Sequence, residues 1–279
     1  MQFGISTHLF HDRRLERAHL AQIAGAGFES IELFATRSHF DYRDPAAVAS
    51  LAEWLAATGL RLHSVHAPIT AQFGAGDQWM ATYSNAVGDA AGRQAAVQET
   101  EAALQIARTI PFPLLVVHLG TPDSRNTPGD NQRGAAVRSA EDICRIASPF
   151  GLRVAFEVIP NSISTPSALT SVLEADLDAE NAGVCLDFGH AFLGGDVPDA
   201  IETVAEHLIA THVHDNHRRT DEHLAPYRGR IDWDSALMSM QKIGYEGSYM
   251  MELANTGDPA AVLEEARRAR ERFERTVAV

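Results

Sequence analysis

The chain has 279 residues, of which 45% are hydrophobic and 22% charged, and these values are ordinary for a globular protein with a sizeable core. The length is typical of a single α/β barrel, so we expect one domain spanning residues 1–279. The formal net charge of −14 disfavours nonspecific binding to nucleic acid or to a membrane surface, and leaves a small molecule as the expected partner.

The cysteines and the apolar runs indicate the cellular compartment in which the protein is found. Cys144 and Cys185 have no paired spacing, and the opening MQFGIST does not resemble a basic and apolar signal segment. Apolar runs along the sequence fall short of the roughly 20 residues that a membrane helix needs. We therefore expect a reduced, cytoplasmic protein without a membrane span.

Short β-rich runs alternate with longer segments of helical period along the whole chain. The candidate strands are residues 2–6, 30–34, 61–67, 114–120, 154–158, 183–188, 209–215 and 248–254. Eight amphipathic segments follow them, and several end at glycine, as helices often do. Eight strands alternating with eight helices predict a single-domain (β/α)8 TIM barrel, because a doubly wound open sheet usually stops at about five to seven strands.

Two of the predicted strand-to-helix connections are too long to be plain turns. Residues 68–90 are rich in glycine and carry Phe73, Trp79 and Tyr83. Such a loop on the active face of a barrel forms a lid or a substrate wall, or its aromatic side chains only pack the loop onto the barrel. The second connection, residues 120–134, is polar and gives little indication of its function.

Metal-binding residue types recur at the predicted strand ends, which converge on one face of a parallel barrel. Burying a lone carboxylate in an apolar strand is costly, and a divalent cation removes that cost. Carboxylates plus an imidazole, without thiolate, suit Mn²⁺, Co²⁺ or Mg²⁺, with Zn²⁺ as an alternative. The strand-end residues are Glu32, His66, His118, Glu157, Asp187, His212 and Glu252. We predict that one metal ion is held by Glu157, Asp187, His212 and Glu252.

The motifs FEV, CLDFGH, HVHDN and MELA, together with SVHAP and VVHLG, resemble the xylose isomerase-like TIM barrels over nearly the whole chain. This superfamily contains sugar and sugar-phosphate isomerases and epimerases, and AP endonucleases of the endonuclease IV type. The resemblance to ketose 3-epimerases implies the same four metal ligands, with Mn²⁺ as the expected ion. It also implies that Glu157 and Glu252 act as acid and base. The substrate contacts that we expect are His66, His118, His190 and Arg218.

Two stretches depart from the family pattern. Standard ketohexose epimerases carry a second Glu six residues after the first, where this chain has Ile163, and this argues against that activity. In residues 212–233 the family pattern is matched at Asp221, His223, Pro226, Gly229 and the IDW segment, but not at Ala225, Tyr227 and Arg228. The same segment has basic residues that either bind an anionic group such as phosphate or are simply solvated: His217, Arg218, Arg219, Arg228 and Arg230.

Several functions fit these residues. A metal ion that polarises a carbonyl supports epimerisation, aldose-ketose isomerisation or dehydration through an enediolate. The principal alternative is a zinc-dependent phosphodiesterase of the endonuclease IV type, which the resemblance implies would add His66, His118, His190, Asp221 and His223 as ligands. A third is a barrel that binds a ligand without catalysis and pairs its strand-end carboxylates with Lys or Arg. A sugar or sugar phosphate is the expected substrate, and a homo-oligomer is expected by analogy with other barrels.

Overall fold

Eight parallel strands close into a barrel within residues 1–73, 78–255 and 257–277, the part of the chain that the computed structural model describes. The barrel order is β1-β2-β3-β6-β7-β8-β9-β10, and β10 pairs with β1. The (β/α)8 prediction is therefore confirmed. The strands are β1 (Gln2–Ser6), β2 (Ser30–Phe34), β3 (Arg61–His66), β4 (Thr70–Phe73), β5 (Trp79–Thr82), β6 (Leu114–Val117), β7 (Arg153–Glu157), β8 (Ala182–Asp187), β9 (Leu208–Val213) and β10 (Ser248–Met251).

Helices cover the outside of the barrel, and aspartates fix several of their starts. The side chains of Asp44, Asp89 and Asp232 accept hydrogen bonds from backbone N–H groups in the first turn of the helix that follows each of them. The helices are α1 (Arg17–Gly25), α2 (Pro45–Thr58), α3 (Ala90–Leu104), α4 (Arg133–Ala147), α5 (Pro166–Ser171), α6 (Phe188–Gly194), α7 (Val197–Val204), α8 (Trp233–Lys242) and α9 (Pro259–Val277).

Two local features differ from the sequence prediction. The short helix α6 was not predicted, and it begins directly after β8 because the Asp187 side chain caps it by accepting a hydrogen bond from the His190 backbone at 2.7 Å. The connection at residues 68–90 contains an antiparallel hairpin of β4 and β5. The tip of this predicted wall, residues 74–77, lies outside the described residues.

The strand pleat separates an apolar layer from a polar one. Side chains two residues apart point the same way in a strand, so the residues below the predicted ligands also face the barrel interior. They form a small apolar cluster of Leu114, Val116, Ala155, Cys185 and Ala210. Strands β6, β7, β8 and β9 therefore each carry an apolar residue two positions before the predicted ligand at their end.

The last helix packs one face against the barrel and carries ion pairs along its length. Val262, Ala266 and Phe273 of α9 are buried against the barrel, while Arg267 pairs with Glu264 and Glu271 within the helix. Across the described ranges, the helices all lack the combination of length and apolar character that crossing a membrane requires.

His39 is expected to reduce the stability of the protein in mild acid. Its side chain is fully buried, and burial lowers its pKa from 6.5 to about 4. The unfolded chain takes up a proton near pH 6.5 and the folded protein does so only near pH 4. The free energy of unfolding therefore falls as the pH drops through this window, by about 3 kcal/mol from this group. Urea unfolding of the wild type and of His39→Gln should show a smaller acid loss in the variant; equal losses would contradict the assignment.

Candidate active site

All the predicted strand-end residues meet at the carboxyl end of the barrel. The alternation of side chains along the strands points them into the barrel, where Asp187 pairs with His212 and Glu157 pairs with Cys185 in the sheet. None has more than 9% of its surface exposed: Glu32, His66, His118, Glu157, Asp187, His212 and Glu252. So many buried ionisable groups in one place require compensating charge.

The four predicted metal ligands form one cluster. Glu157, Asp187, His212 and Glu252 each offer one ligand atom, and these atoms all lie within 4.8 Å of one another. His212 Nδ1 is 3.1 Å from Glu157 Oε1 and 3.4 Å from Glu252 Oε2. Three carboxylates and one imidazole nitrogen form a donor set that suits Mn²⁺ or another divalent ion.

A second cluster shares Glu157 with the first. The Nε2 atoms of His66 and His118 lie 3.2 Å and 3.1 Å from Glu157 Oε2. The other oxygen of this carboxylate, Oε1, lies 3.1 Å from His212 Nδ1 in the first cluster. Glu157 therefore contributes one oxygen to each of two neighbouring clusters.

A third cluster contains the other residues that the phosphodiesterase alternative requires. Asp221 Oδ2 is 3.0 Å from His190 Nε2 and 3.1 Å from His223 Nε2. His214 belongs to this cluster as well, with its Nε2 3.7 Å from Asp221 Oδ1. The sequence prediction missed His214, although its spacing of two from His212 in HVHD was a usable signal.

The ring orientations of three histidines fit metal ligation. A backbone carbonyl only accepts hydrogen bonds, so an imidazole Nδ1 that bonds to one carries the hydrogen, and the Nε2 of the neutral ring has a free lone pair. Each of these Nε2 atoms faces a carboxylate oxygen, which is also an acceptor, and only a proton or a metal ion between them makes the contact favourable. The Nδ1 contacts are His66 to the Ala67 oxygen at 2.8 Å, His190 to Val158 at 3.0 Å and His223 to Glu252 at 2.9 Å.

The electrostatics of the first cluster favour bound positive charge. Burial disfavours the ionised form of Glu157, yet the charges of His212 and His118 outweigh burial and hold the pKa of that carboxyl well below its ordinary value. Burial likewise disfavours the charged form of His190, but Asp187 and Asp221 raise its pKa well above the usual range. The Glu157 carboxylate therefore stays ionised, and a divalent cation is a suitable counterion for it.

A cavity of about 1040 Å³ opens directly above the clusters. Its size is at the upper end of the range typical of small-molecule sites. The predicted substrate contacts all line it: His66, His118, His190 and Arg218. Glu252 also lines the cavity, whereas Glu157 lies beneath it, completely buried.

One side of the cavity is aromatic. The β4–β5 hairpin contributes Phe73 and Trp79, and Phe34 at the end of β2 lies beside Phe73 with ring centroids 6.0 Å apart. Trp79 stacks with Arg125 from the loop that follows β6, whose guanidinium carbon is 4.9 Å from the ring centroid. Two of the three predicted loop aromatics therefore form a wall of the cavity.

The basic residues of the predicted anion loop have separate surroundings. Arg218 and Arg219 line the cavity, and Arg218 stacks on Phe192 at 4.9 Å. Arg228 instead pairs with Glu265 on the outer helix α9, at 3.3 Å. At most two of the loop's arginines are therefore placed to meet a ligand in this cavity.

Two histidines in the cavity wall were not predicted. His8 and His11 lie in and after the short 3-10 turn Thr7–Phe10 that follows β1, and both line the cavity. The His8 Nδ1 is 3.2 Å from the Leu253 carbonyl oxygen. The signal was available, because THLFH directly follows the first strand.

The ion pairs bear on the alternative of a non-catalytic barrel. Among the described residues, the strand-end carboxylates pair with histidines, and their ion pairs include neither Lys nor Arg. This is opposite to what that alternative predicts. Ile163 is buried in the hydrophobic core, so the family's second Glu has no counterpart there.

The chain belongs to the xylose isomerase-like TIM barrel family, whose model matches residues 20–273. It is 26% identical over 266 residues to the uncharacterized protein MJ1311 of Methanocaldococcus jannaschii, covering 92% of this chain and 85% of that protein. Two crystal structures share the fold. A D-tagatose 3-epimerase-like protein superposes with a TM-score of 0.80 at 22% identity, over 100% of this chain and 97% of that one. A D-psicose 3-epimerase superposes with a TM-score of 0.80 at 20% identity, over 100% of both chains.

Proposed function

We propose that the protein is a divalent-metal-dependent isomerase or epimerase of a sugar or sugar phosphate. The observation that carries the proposal is the buried cluster of Glu157, Asp187, His212 and Glu252 beneath a cavity of small-molecule size. Mn²⁺ is the proposed ion, and Co²⁺, Mg²⁺ and Zn²⁺ are the alternatives, because the donor set is oxygen-rich and lacks thiolate. Family membership and the sugar epimerases of the same fold support a sugar as the substrate.

The two glutamates are the proposed acid and base. A divalent ion bound at the cluster would polarise a substrate carbonyl and make the neighbouring C–H more acidic. In this proposal Glu252, which reaches the cavity, takes that proton, and Glu157 is the second carboxylate, which returns a proton from the other side. Return to the same carbon gives epimerisation, return to the neighbouring carbon gives aldose-ketose isomerisation, and loss of a β-hydroxyl gives dehydration.

The substrate is held by hydrogen bonds in this proposal. His66, His118 and His190 line the cavity next to the cluster, and Arg218 lies at its rim with a hydrogen bond to the Gly195 carbonyl at 2.9 Å. Ile163 supplies no carboxylate, which favours a substrate other than the ketohexoses of the standard 3-epimerases.

A second candidate function is zinc-dependent phosphodiester cleavage of the endonuclease IV type. The second and third clusters favour it, because His66, His190 and His223 are oriented as ligands and the two clusters would supply two further sites. The net charge of −14 counts against a DNA substrate, since duplex binding depends on neutralising phosphates.

Metal content and hydrogen exchange test the two functions together. Protein purified without added metal or chelator is analysed for metals, and ketoses and ketose phosphates are incubated with it in D2O and followed by NMR. We expect about one Mn²⁺, Co²⁺ or Mg²⁺ per chain and deuterium at a carbon next to the carbonyl. Two or three Zn²⁺ with nicking of abasic DNA and no exchange would overturn the sugar proposal in favour of the phosphodiesterase.

We place the protein in a reducing, cytoplasmic compartment. Cys144 and Cys185 are both free and buried, which fits a compartment where thiols stay reduced. A homo-oligomer paired through the outer helices is proposed by analogy with other barrels.

A further inference from the structure

We infer that Glu32 is a positioning residue, which orients the metal ligand His212 by fixing the nitrogen that faces the metal cluster. The two ring nitrogens of His212 face opposite partners. Nε2 lies 3.0 Å from Glu32 Oε2, and Nδ1 lies 3.1 Å from Glu157 Oε1 in the first cluster. The inference rests on the metal centre of the proposed function and does not depend on which reaction that centre performs.

The strand pairing brings Ser64 next to Glu32. The register between β2 and β3 shifts between Ile31 and Glu32, and Glu32 then pairs with Ser64. The Ser64 hydroxyl donates a hydrogen bond to Glu32 Oε2 at 2.8 Å. Oε2 is thus held by a second donor while it accepts from His212.

The contacts of Glu32 link it to His212 and Ser64. Its side chain is completely buried and is not among the described residues that line the cavity. Its ion-pair partner is His212, and its other oxygen, Oε1, has no hydrogen-bond partner among the described residues. A buried carboxylate with so few partners is a poor stabilising element for a barrel, and its placement against His212 is better explained by what it does to that ring.

The chemistry follows from the tautomer of a neutral imidazole. When Nε2–H donates to Glu32, the lone pair is on Nδ1, which points at Glu157, Asp187 and Glu252. The negative charge of Glu32 also makes Nδ1 a stronger donor to a metal ion. Loss of this contact leaves the ring free to turn and weakens metal binding without removing a ligand.

The test measures Mn²⁺ affinity from the EPR signal of the free ion in wild type, Glu32→Gln and Glu32→Leu. We expect Glu32→Leu to bind Mn²⁺ about 100-fold more weakly, because no acceptor is left for Nε2–H. Glu32→Gln, whose amide oxygen still accepts that hydrogen, should lose only about tenfold. The matched control is Glu29→Gln, the same chemical change at a side chain that is 85% exposed and pairs with Arg61; it should bind Mn²⁺ as the wild type does.

The outcomes separate this inference from the metal centre itself. Wild-type protein that binds Mn²⁺, together with variants of Glu32 that bind it equally tightly, would overturn the inference and leave the metal centre standing. Wild-type protein that binds none of Mn²⁺, Co²⁺, Mg²⁺ and Zn²⁺ would overturn both. If Glu32→Leu does not fold, Glu32→Gln and Ser64→Ala decide: both should fold and bind Mn²⁺ more weakly, and unchanged affinity in both would refute the positioning role. Thermal unfolding of the metal-free variants checks that a weaker affinity does not come from a damaged barrel.

Discussion

Removing the proposed metal ion is expected to abolish turnover and to lower the midpoint of thermal unfolding by roughly 5 °C. Glu157, Asp187 and Glu252 bring three buried carboxylates together, and a divalent ion is the counterion that this cluster favours. An ion present at 100 times its Kd stabilises the folded state by about 2.7 kcal/mol, and in a chain of this size this corresponds to a shift of several degrees. Dialysis against dipicolinate followed by thermal scans and deuterium-exchange assays, then repeated after adding Mn²⁺, measures both effects.

A ligand variant supplies the control for metal removal. Asp187→Asn keeps the side-chain shape but removes one charge from the first cluster, so added Mn²⁺ should raise its unfolding midpoint much less than that of the wild type. Chelated protein that retains full activity and an unchanged midpoint would refute the metal-dependent function.

Replacing Glu252 with Gln is expected to lower kcat by about 10³-fold, within the range typical of losing a general acid or base. Glutamine has nearly the same shape, so the fold should be retained, and Mn²⁺ at a saturating concentration offsets the weaker oxygen ligand. Exchange of substrate hydrogen with solvent deuterium should fall to the same extent, because this step needs the same base. The rate of exchange under saturating substrate, measured by NMR, checks the prediction.

Glu157→Gln should differ from Glu252→Gln in its metal content. Glu157 offers one oxygen to each of two clusters, so its loss should lower both activity and metal content. Glu265→Gln on α9 is the matched control, since this side chain pairs with Arg228 on the outside of the barrel. A Glu252→Gln variant with wild-type kcat would exclude Glu252 as the base.

The fold was predictable because its signals are local and repeated. Each strand is a short apolar run, and each following helix has a clear period, a cap or a terminal glycine, so the count of eight follows from the sequence. Helix α6 escaped prediction because it has only 7 residues and begins at Phe188, which also continues the apolar pattern of β8. The β4–β5 hairpin was not predicted because Gly74 and Gly76, between its strands, read as loop.

The members of the site were more predictable than its arrangement. Strand ends converge in any parallel barrel, so Glu157, Asp187 and His212 could be grouped without coordinates. The division of Glu157 between two clusters depends on where each of its oxygens points, and the sequence carries no such information. His8 was missed because it follows the end of β1 in a 3-10 turn, outside the strand pattern.

The alternation of apolar and ligand residues along the strands also has a consequence for folding fidelity. Val116 lies two residues before His118, Ala155 before Glu157, Cys185 before Asp187 and Ala210 before His212. Since the side-chain period of a strand is two, a slip of a single residue in one of these strands would turn its ligand toward the outer helices. A barrel with such a pairing error would lack part of the proposed metal centre, so a bound metal ion would selectively stabilise the correctly paired barrel over misregistered forms.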